Sequence, residues 1–430
     1  MTIQRFFDKQ PGGSEPALTL MAPFFRFVPP FYPEGAEELV QWTMPLNMRI
    51  GRFWVGVCIL AASVGCGAGD HVVRTVAPGV SYHKIHLLDG PWWIHVVEVD
   101  LEKAREEGIG LRTSSASLVR GGVERTSALA KNALAGVNGD FFYTREKSHT
   151  AGLLIQDGVL IQAPQRRSAL VFSRDGRPLI GSFEAQFGAV LADGRALPIS
   201  GFNRAPNDEE FTLYNAHAQS RFDSVRAALG FQLQRIAGRS ILNDTVSARV
   251  LQLRRQAWPL ILDAGQWLVA AGSRAAEAYS IAPGDTLKLH GHLPPAQRPL
   301  FEAVGGGPRI LRDGNVSVEY ERERLSRSFA EDRHPRTAVG YTQDQSVLFL
   351  VVVDGRQPGY SMGMTLEELA HFMRMRLGNF SLSQENAYQG LNLDGGGSTT
   401  MVVKGEVVNS PSDQTGERPV ANALIIAGVQ

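Results

Sequence analysis

Two short segments of the chain carry an asparagine and an aspartate separated by one residue, Asn138/Asp140 in GVNGDFF and Asn392/Asp394 in LNLDGGGSTTM. Residues i and i+2 of an extended strand share a face, so each pair offers a carboxylate and an amide to one space. Such groups act as acid, base or nucleophile on a glycosidic bond, or ligate Ca²⁺. Asx-turn chemistry explains either pair alone. Two copies, one of which leads into a triple glycine, favour a functional site.

Three further segments place polar side chains at predicted strand ends: Gly305-Gly306-Gly307-Pro308-Arg309, Arg333-His334-Pro335-Arg336-Thr337 and Asp354-Gly355-Arg356. Arginine suits bidentate phosphate binding, and histidine acts as a general acid near neutral pH. The triple glycines predict backbone anion-binding nests, with a tight bend between crowded strands as the alternative. The candidate catalytic residues are Asp140, Asp354 and Asp394. The candidate substrate- and phosphate-binding residues are Asn138, Gly305, Gly306, Gly307, His334, Arg336, Arg356, Asn392, Gly395, Gly396, Gly397, Ser398 and Thr399.

Composition and absent motifs exclude several classes of protein. The 430 residues include 43 Lys plus Arg and 43 Asp plus Glu, and no basic run suggests a nucleic-acid partner. Two cysteines rule out a disulfide framework and a cysteine zinc site. No Gly-x-Ser-x-Gly elbow, His-Glu-x-x-His motif or Walker loop is present.

The elements that must position these residues read as an α+β fold: a mixed, mostly antiparallel sheet with a hairpin meander. Asp157-Gly158, Asp175-Gly176 and Asp193-Gly194, spaced by 18 residues, predict type I′ hairpin turns, and Asp313-Gly314 predicts another. The apolar run 346–353 predicts a strand buried on both faces. A helix is expected at 126–134. A second should open at the Thr365/Glu368 capping box and end before Gly378, giving a strand–helix–strand crossover unit.

The amino-terminal region has the layout of an export signal. A basic lead at 48–52 precedes the apolar run FWVGVCILAASV, which is too short for a comfortable membrane span. Ser63-Val64-Gly65-Cys66 resembles the lipobox of bacterial lipoproteins, although Ser63 departs from the preferred Leu. We predict a mis-assigned extension at 1–47, a signal at 48–66 with lipidation at Cys66, a linker at 67–79 and one domain at 80–430 with a β-rich middle section at 200–300. The alternatives are a plain cleaved signal and a buried core helix.

Taken together, GVNGDFF, VGGGPRILRDG, RHPRTAVGY, VVVDGR, LNLDGGGSTTM and the closing Arg418–Ala423 segment resemble the phosphodiester glycosidase family in pattern and order. The likeness covers most of residues 80–430. It implies hydrolysis of a sugar α-1-phosphodiester, with release of the sugar from the phosphate, and leaves the sugar and the catalytic roles open.

The predicted function is therefore an exported, lipid-anchored hydrolase of a glycosyl-1-phosphodiester on a cell-surface or extracytoplasmic glycan. Its expected partners are that substrate and, through the anchor alone, a bacterial membrane; nucleic acid is not expected. The sequence requires no cofactor and leaves Ca²⁺ possible. The alternatives are a catalytically silent glycan-binding lipoprotein and a Ca²⁺-dependent phosphodiesterase that cleaves P–O instead of C–O.

Overall fold

The computed structural model describes residues 68–116, 122–144, 148–220, 224–259 and 261–428. They all lie in one compact unit, Cys66–Gln430. The predicted extension, the signal segment and Cys66 fall outside the described residues. No helix in the described ranges has both the length and the apolar character needed to cross a bilayer.

Strands dominate the architecture. In chain order they are β1 (Ala68–Ala77), β2 (Val80–Leu87), β3 (Trp92–Asp100), β4 (Ile109–Ser115), β5 (Glu124–Arg125), β6 (Ala135–Asn138), β7 (Phe142–Tyr143), β8 (His149–Thr150), β9 (Leu154–Gln156), β10 (Val159–Gln162), β11 (Ser168–Ser173), β12 (Pro178–Ser182), β13 (Gln186–Leu191), β14 (Ala196–Ile199), β15 (Gly201–Phe202), β16 (Phe211–Asn215), β17 (Ser224–Ala237), β18 (Asp244–Pro259), β19 (Gln266–Ala271), β20 (Thr286–His292), β21 (Leu300–Gly305), β22 (Arg309–Arg312), β23 (Asn315–Val316), β24 (Arg336–Tyr341), β25 (Val347–Val353), β26 (Gln389–Asn392), β27 (Met401–Val403), β28 (Glu406–Val407), β29 (Pro419–Val420) and β30 (Asn422–Gly428).

The helices are short. They are α1 (Leu101–Glu106), α2 (Thr126–Leu129), α3 (Ser273–Ala278), α4 (Arg327–Glu331) and α5 (Leu366–His371). A π-helical turn, Phe372–Arg376, and a 3₁₀ turn, Leu377–Asn379, continue α5, and further 3₁₀ turns span Ala216–Ser220 and Gly396–Ser398.

Four sheets form the body of the protein. Sheet I has the strand order β1-β2-β3-β25-β24-β26-β22-β23, and sheet II the order β28-β27-β6-β30-β4. Sheet III runs β10-β9-β21-β11-β12, and sheet IV runs β14-β13-β20-β18-β17-β19-β16-β15. Two small ladders pair β29 with β5 and β7 with β8.

Apolar side chains join these sheets in layers. One core packs a face of sheet I against sheets II and III, with Val97, Leu350, Val137 and Leu170 among its members. The other face of sheet I is covered by α5 and its continuation. A third core fills the space between sheets III and IV. Sheet I is therefore buried on both faces in its centre, which explains why every residue of β25 is apolar and buried.

Local turn chemistry explains most of the hairpins. All four predicted Asp-Gly sites join antiparallel neighbours, as expected. Positive φ at both positions, the signature of a type I′ turn, occurs at Asp157-Gly158 and Asp313-Gly314. At 175–176 and 193–194 only the glycine has positive φ. The hairpins also divide between sheets III and IV instead of forming one meander.

Four predictions about the fold and its elements need correction. The fold is mostly β, with 49% strand and 12% helix, and not clearly α+β. The capping box at Thr365 and Glu368 is present and opens α5. However, β25 and β26, which α5 connects, do not pair with each other, because antiparallel β24 lies between them. The helix expected at 126–134 is only Thr126–Leu129, since β6 begins at Ala135, and residues 68–77 of the predicted linker form strand β1.

Candidate active site

The two Asn-x-Asp segments, distant in sequence, are in direct contact. Asn138 ends β6 in sheet II, and Asn392 ends β26 in sheet I. The Asp394 N–H donates to the Gly139 carbonyl at 3.0 Å, and Asn138 Nδ2 donates to the Asp394 carbonyl at 2.6 Å. The ends of two strands from different sheets therefore bring Asp140 and Asp394 to one place.

The asparagine of each pair ties backbone segments together. Asn138 Oδ1 accepts hydrogen bonds from Thr337 Oγ1 at 2.7 Å and from the Thr400 N–H at 3.1 Å. Asn392 Nδ2 donates to the carbonyls of Gly307 at 2.8 Å and Leu393 at 2.7 Å. Both side chains are fully buried. Their amides, which the sequence predicted to bind substrate, thus serve mainly to join the loops around the two aspartates.

Asp140 is a buried carboxylate with one oxygen uncommitted. Its Oδ2 accepts from Thr150 Oγ1 at 3.1 Å and from the Gly152 N–H. Its Oδ1 has no hydrogen-bond partner among the described residues, and the nearest cation is Arg167, whose Nη2 lies 3.6 Å away. Burial raises the pKa of Asp140, and Arg167 opposes that rise.

Asp394 is half-buried and accepts from the Gly395 N–H at 3.0 Å. Burial raises its pKa to about 6. The Asp140 carboxylate adds to this rise in pKa, whereas the Ser398 hydroxyl, the Arg418 guanidinium and the Gly395 N–H oppose it. The Asp140 carboxylate is therefore close enough to influence the ionisation of Asp394, as a smaller cause than burial.

The first triple glycine does not form an anion-binding nest. The Gly306 N–H donates to the Ser168 carbonyl at 3.1 Å, and the Gly307 N–H donates to the Asn392 carbonyl at 2.7 Å. What the glycines provide is space: a Cβ on Gly305 would stand 2.5 Å from Asp140 Oδ2. Gly307 has φ +135°, and a Cβ there would stand 2.7 Å from Glu323 Oε2. The alternative prediction, a tight bend between crowded strands, describes this segment.

The second triple glycine also allows close approach. The Gly396 N–H donates to the Pro335 carbonyl at 2.9 Å, and a Cβ on Gly396 would meet the Arg356 guanidinium at 3.1 Å. A side chain on Gly397 would collide with the bidentate pair of Arg418 and Asp413. Glycine at these positions lets two arginines lie over the turn that follows Asp394.

Unpartnered polar atoms gather in the same segments. In the described part of the chain, six buried atoms of these loops lack a hydrogen-bond partner, and they are Asp140 Oδ1, Asn392 Oδ1, Ser398 Oγ, Thr399 Oγ1, Thr400 Oγ1 and Asn422 Nδ2. Ser398 Oγ is near enough to Asp394 to influence its pKa, yet it lacks hydrogen-bonding geometry. Buried polar groups are normally hydrogen-bonded, so this concentration indicates a place reserved for a polar ligand.

Asp354 occupies a different environment. It is fully buried, and its carboxylate is engaged by His95 Nε2 at 3.2 Å, Tyr360 Oη at 3.1 Å, Asn409 Nδ2 at 3.0 Å and the Ser410 N–H at 2.9 Å. Asn409 in turn donates to the Thr399 carbonyl and accepts from the Met401 N–H. Asp354 thus braces the loop after Asp394, an arrangement that favours a positioning role over direct catalysis.

The predicted cations differ in availability. Arg336 is buried, and its Nε and Nη2 donate to the backbone carbonyls of Met364, Phe329 and Asp332, each at 2.8 Å. Burial lowers its pKa to about 9, and nearby Arg356 adds to that effect. Arg356 is exposed and donates to His334 Nδ1 at 3.1 Å. Burial, Arg336 and Arg356 lower the pKa of His334, so the neutral imidazole is favoured.

Sequence reasoning missed several residues of this site. Thr150 and Arg167 contact Asp140 from segments that carry no recognisable motif. Asn422 accepts from the Asp140 N–H at 3.0 Å. Arg418 and Asn422 both lie in the closing Arg418–Ala423 segment noted in the sequence, so that segment held a usable signal.

No group of three or more His, Cys, Asp or Glu side chains in the described ranges is arranged to hold a metal ion. A cation such as Ca²⁺ would have to rely on the Asp140 and Asp394 carboxylates together with neutral oxygens of the Ser398–Thr400 segment.

Comparison with known proteins agrees with this geometry. Residues 243–427 match the phosphodiester glycosidase family model. This match confirms the resemblance seen in the motifs. The segment of this chain that matches the family model contains Asp354 and Asp394. Asp140 and Arg167 precede that segment.

Individual relatives are distant. The mouse N-acetylglucosamine-1-phosphodiester alpha-N-acetylglucosaminidase is 30% identical over 124 residues, which cover 27% of this chain and 22% of that protein. A hypothetical protein from Synechocystis superposes with a TM-score of 0.61 at 20% identity, covering 84% of this chain and 64% of the other. A Burkholderia pseudomallei protein, named as a candidate exported protein, gives a TM-score of 0.58 at 20% identity and covers 87% of this chain and 100% of its own. The two structures share the fold of this chain.

Proposed function

We propose that the protein is an exported hydrolase that cleaves the glycosyl C–O bond of a sugar α-1-phosphodiester on a cell-surface or extracytoplasmic glycan. The observation that carries this proposal is the coupled pair Asp140 and Asp394, set where two strand ends meet and surrounded by unpartnered buried polar atoms. The match to phosphodiester glycosidases and the partial likeness to the mouse enzyme support the same reaction class.

The chemistry divides between the two carboxylates. Breaking the C1–O bond places positive charge on the anomeric carbon, which an ionised carboxylate stabilises or attacks. Asp394 is half-buried, and a pKa of about 6 leaves it mostly ionised at pH 7. Asp140, whose pKa burial raises, is suited to hold the exchanged proton. Water supplies OH to the sugar and a proton to the products, which are a free sugar and a phosphate monoester.

The test is hydrolysis by the full chain of a panel of sugar-1-phosphodiesters in ¹⁸O-labelled water, with and without a chelator. Label in the sugar supports C–O cleavage. Label in the phosphate contradicts the proposal and identifies a phosphodiesterase, for which loss of activity with the chelator would indicate Ca²⁺. Saturable binding of a glycan without any turnover would instead identify the silent binding protein.

A further inference from the structure

Arg167 is a half-buried cation without a committed partner. It precedes β11, and its guanidinium carbon lies 4.7 Å above the ring centre of Phe141. Its side chain is 15% exposed, and among the described residues it donates no hydrogen bond. The nearest acceptor, Asp140 Oδ1, is 3.6 Å away and is itself unpartnered. Arg167 and Asp140 thus form a loose ion pair without a hydrogen bond, and a ligand between them would satisfy the buried Asp140 Oδ1 and the guanidinium together.

The other arginines around the site are already engaged. Arg336 donates to three backbone carbonyls, Arg356 donates to His334, and Arg418 forms a bidentate pair with Asp413. Of these four arginines, Arg167 alone donates no hydrogen bond among the described residues, and its one ionic contact is the 3.6 Å pair with Asp140. A bidentate anion such as phosphate matches the planar fork of a free guanidinium.

We propose that Arg167 binds the phosphate group of the substrate beside Asp140, and that Phe141 and Phe329 form the adjoining wall of this subsite. The inference rests on the proposed function and deepens it. The two rings meet edge to face with their centres 5.8 Å apart, and both are half-buried. Stacking on Phe141 orients the guanidinium and restricts its rotamers, so little further ordering is needed when phosphate binds.

Binding of the phosphate at Arg167 would fix the orientation of the substrate relative to the two aspartates. Phosphate at Arg167 puts the bridging oxygen toward Asp140, while the anomeric carbon lies on the side of Asp394. When the C1–O bond breaks, its electron pair stays on the phosphate oxygen, and Arg167 stabilises the additional negative charge. The proton on Asp140 then passes to that oxygen, which gives the phosphate monoester. A water molecule adds its OH to the anomeric carbon to give the free sugar, and the proton that this water releases restores Asp140.

The test compares Arg167→Gln with Arg166→Gln, which removes the same charge from the exposed neighbouring residue, and with Arg356→Gln. Binding of inorganic phosphate to the full chain is measured by calorimetry, and KM and kcat are measured on any sugar-1-phosphodiester that is turned over. Arg167→Gln should weaken phosphate binding at least about 10-fold, whereas Arg166→Gln and Arg356→Gln should change it little. Arg167→Lys, which keeps the charge without the fork, should be intermediate.

Unchanged phosphate affinity in Arg167→Gln, or a loss confined to Arg356→Gln, overturns the assignment, as does a wild-type protein that binds no phosphate at millimolar concentration. Melting temperatures of all four variants show whether a loss reflects unfolding. If phosphate binding depends on Arg167 but no phosphodiester is hydrolysed, the anion site stands and the proposed function fails.

Discussion

In the proposed reaction, Asp394 is the residue whose negative charge we expect to matter most. Asp394→Asn keeps the size of the side chain and removes the charge, so kcat should fall at least about 10²-fold, in line with the loss of one key electrostatic group. The melting temperature should change little, because the carboxylate is half-buried and only the Gly395 N–H donates to it at hydrogen-bonding distance. Asp193→Asn, in an exposed hairpin, is the matched control for both measurements. Near-normal turnover in Asp394→Asn would move the catalytic role to Asp140 or Asp354.

The coupling between the two aspartates predicts a specific pH dependence. If ionised Asp394 is required, kcat/KM should rise as the pH increases through about 6, the pKa that burial and Asp140 give this group. Asp140→Asn removes one cause of the raised pKa, so the acidic limb of the residual activity should move to lower pH. A limb that stays in place would show that Asp394 does not control it.

Arg336 illustrates how burial changes a role inferred from residue type. The sequence placed Arg336 among the candidate phosphate-binding residues, a role in which Arg336→Ala would mainly weaken substrate binding. The structure instead predicts a fall of about 3 kcal/mol in the free energy of unfolding, because the buried Arg336 side chain would no longer donate to the carbonyls of Met364, Phe329 and Asp332. Denaturant unfolding measures this change. Unaltered stability with a raised KM would restore the original prediction.

Residue patterns could indicate which segments form the candidate site, but not which side chain in each segment is available to a ligand. The structure brings the two Asn-x-Asp segments into contact, and their joint role in function stays a prediction. Which member reaches the ligand depends on partners far away in sequence, such as Thr337 and Thr400 for Asn138. No sequence motif marked Arg167 as a candidate site residue, because its proximity to Asp140 arises only in the folded structure, where it precedes β11.

At the level of elements, the glycines of β21 and β12 allow a controlled test of close packing. Gly305 and Gly181 both pair with Ala169 in sheet III. A Cβ on Gly305 would lie 2.5 Å from Asp140 Oδ2, whereas on Gly181 the nearest atom is Phe183 Cζ at 3.7 Å. Gly305→Ala should therefore displace the carboxylate and lower kcat at least about 10-fold, since small misplacements of a catalytic group are costly. Gly181→Ala should retain activity. Equal effects of the two changes would contradict the crowding argument.

Elements were predictable where the signal is local. The hairpins at the Asp-Gly sites, the uniformly apolar β25 and the capping box of α5 depend on neighbouring residues, and all were found, although only two of the four turns have the predicted type I′ backbone. Sheet membership is non-local, so the 18-residue spacing wrongly suggested one meander. The crossover prediction failed for a similar reason: nothing within residues 346–392 reveals that β24, which precedes β25, lies between its two strands.

For the whole molecule, the remaining prediction concerns how the protein is attached to a membrane. Cys66, outside the described residues, is proposed to carry the lipid anchor of an exported protein. Cys66→Ser should release the protein from membranes on fractionation, because stable attachment needs several acyl chains, which the variant cannot receive. A variant that remains bound and unprocessed, like the wild type, would favour a plain signal or a core helix.

The strand order of sheet II determines when activity can appear during synthesis. The last strand, β30, lies between β6 and β4, and β27 flanks β6 on its other side. During synthesis, Asp140 and β6 therefore leave the ribosome well before β27 and β30, the two strands that pair with β6, which lie beyond residue 400. Loops this long close slowly relative to local structure. Sheet II is therefore complete only after β30 has emerged, and a chain that stops before β30 would carry Asp140 without one of the two strands that flank β6.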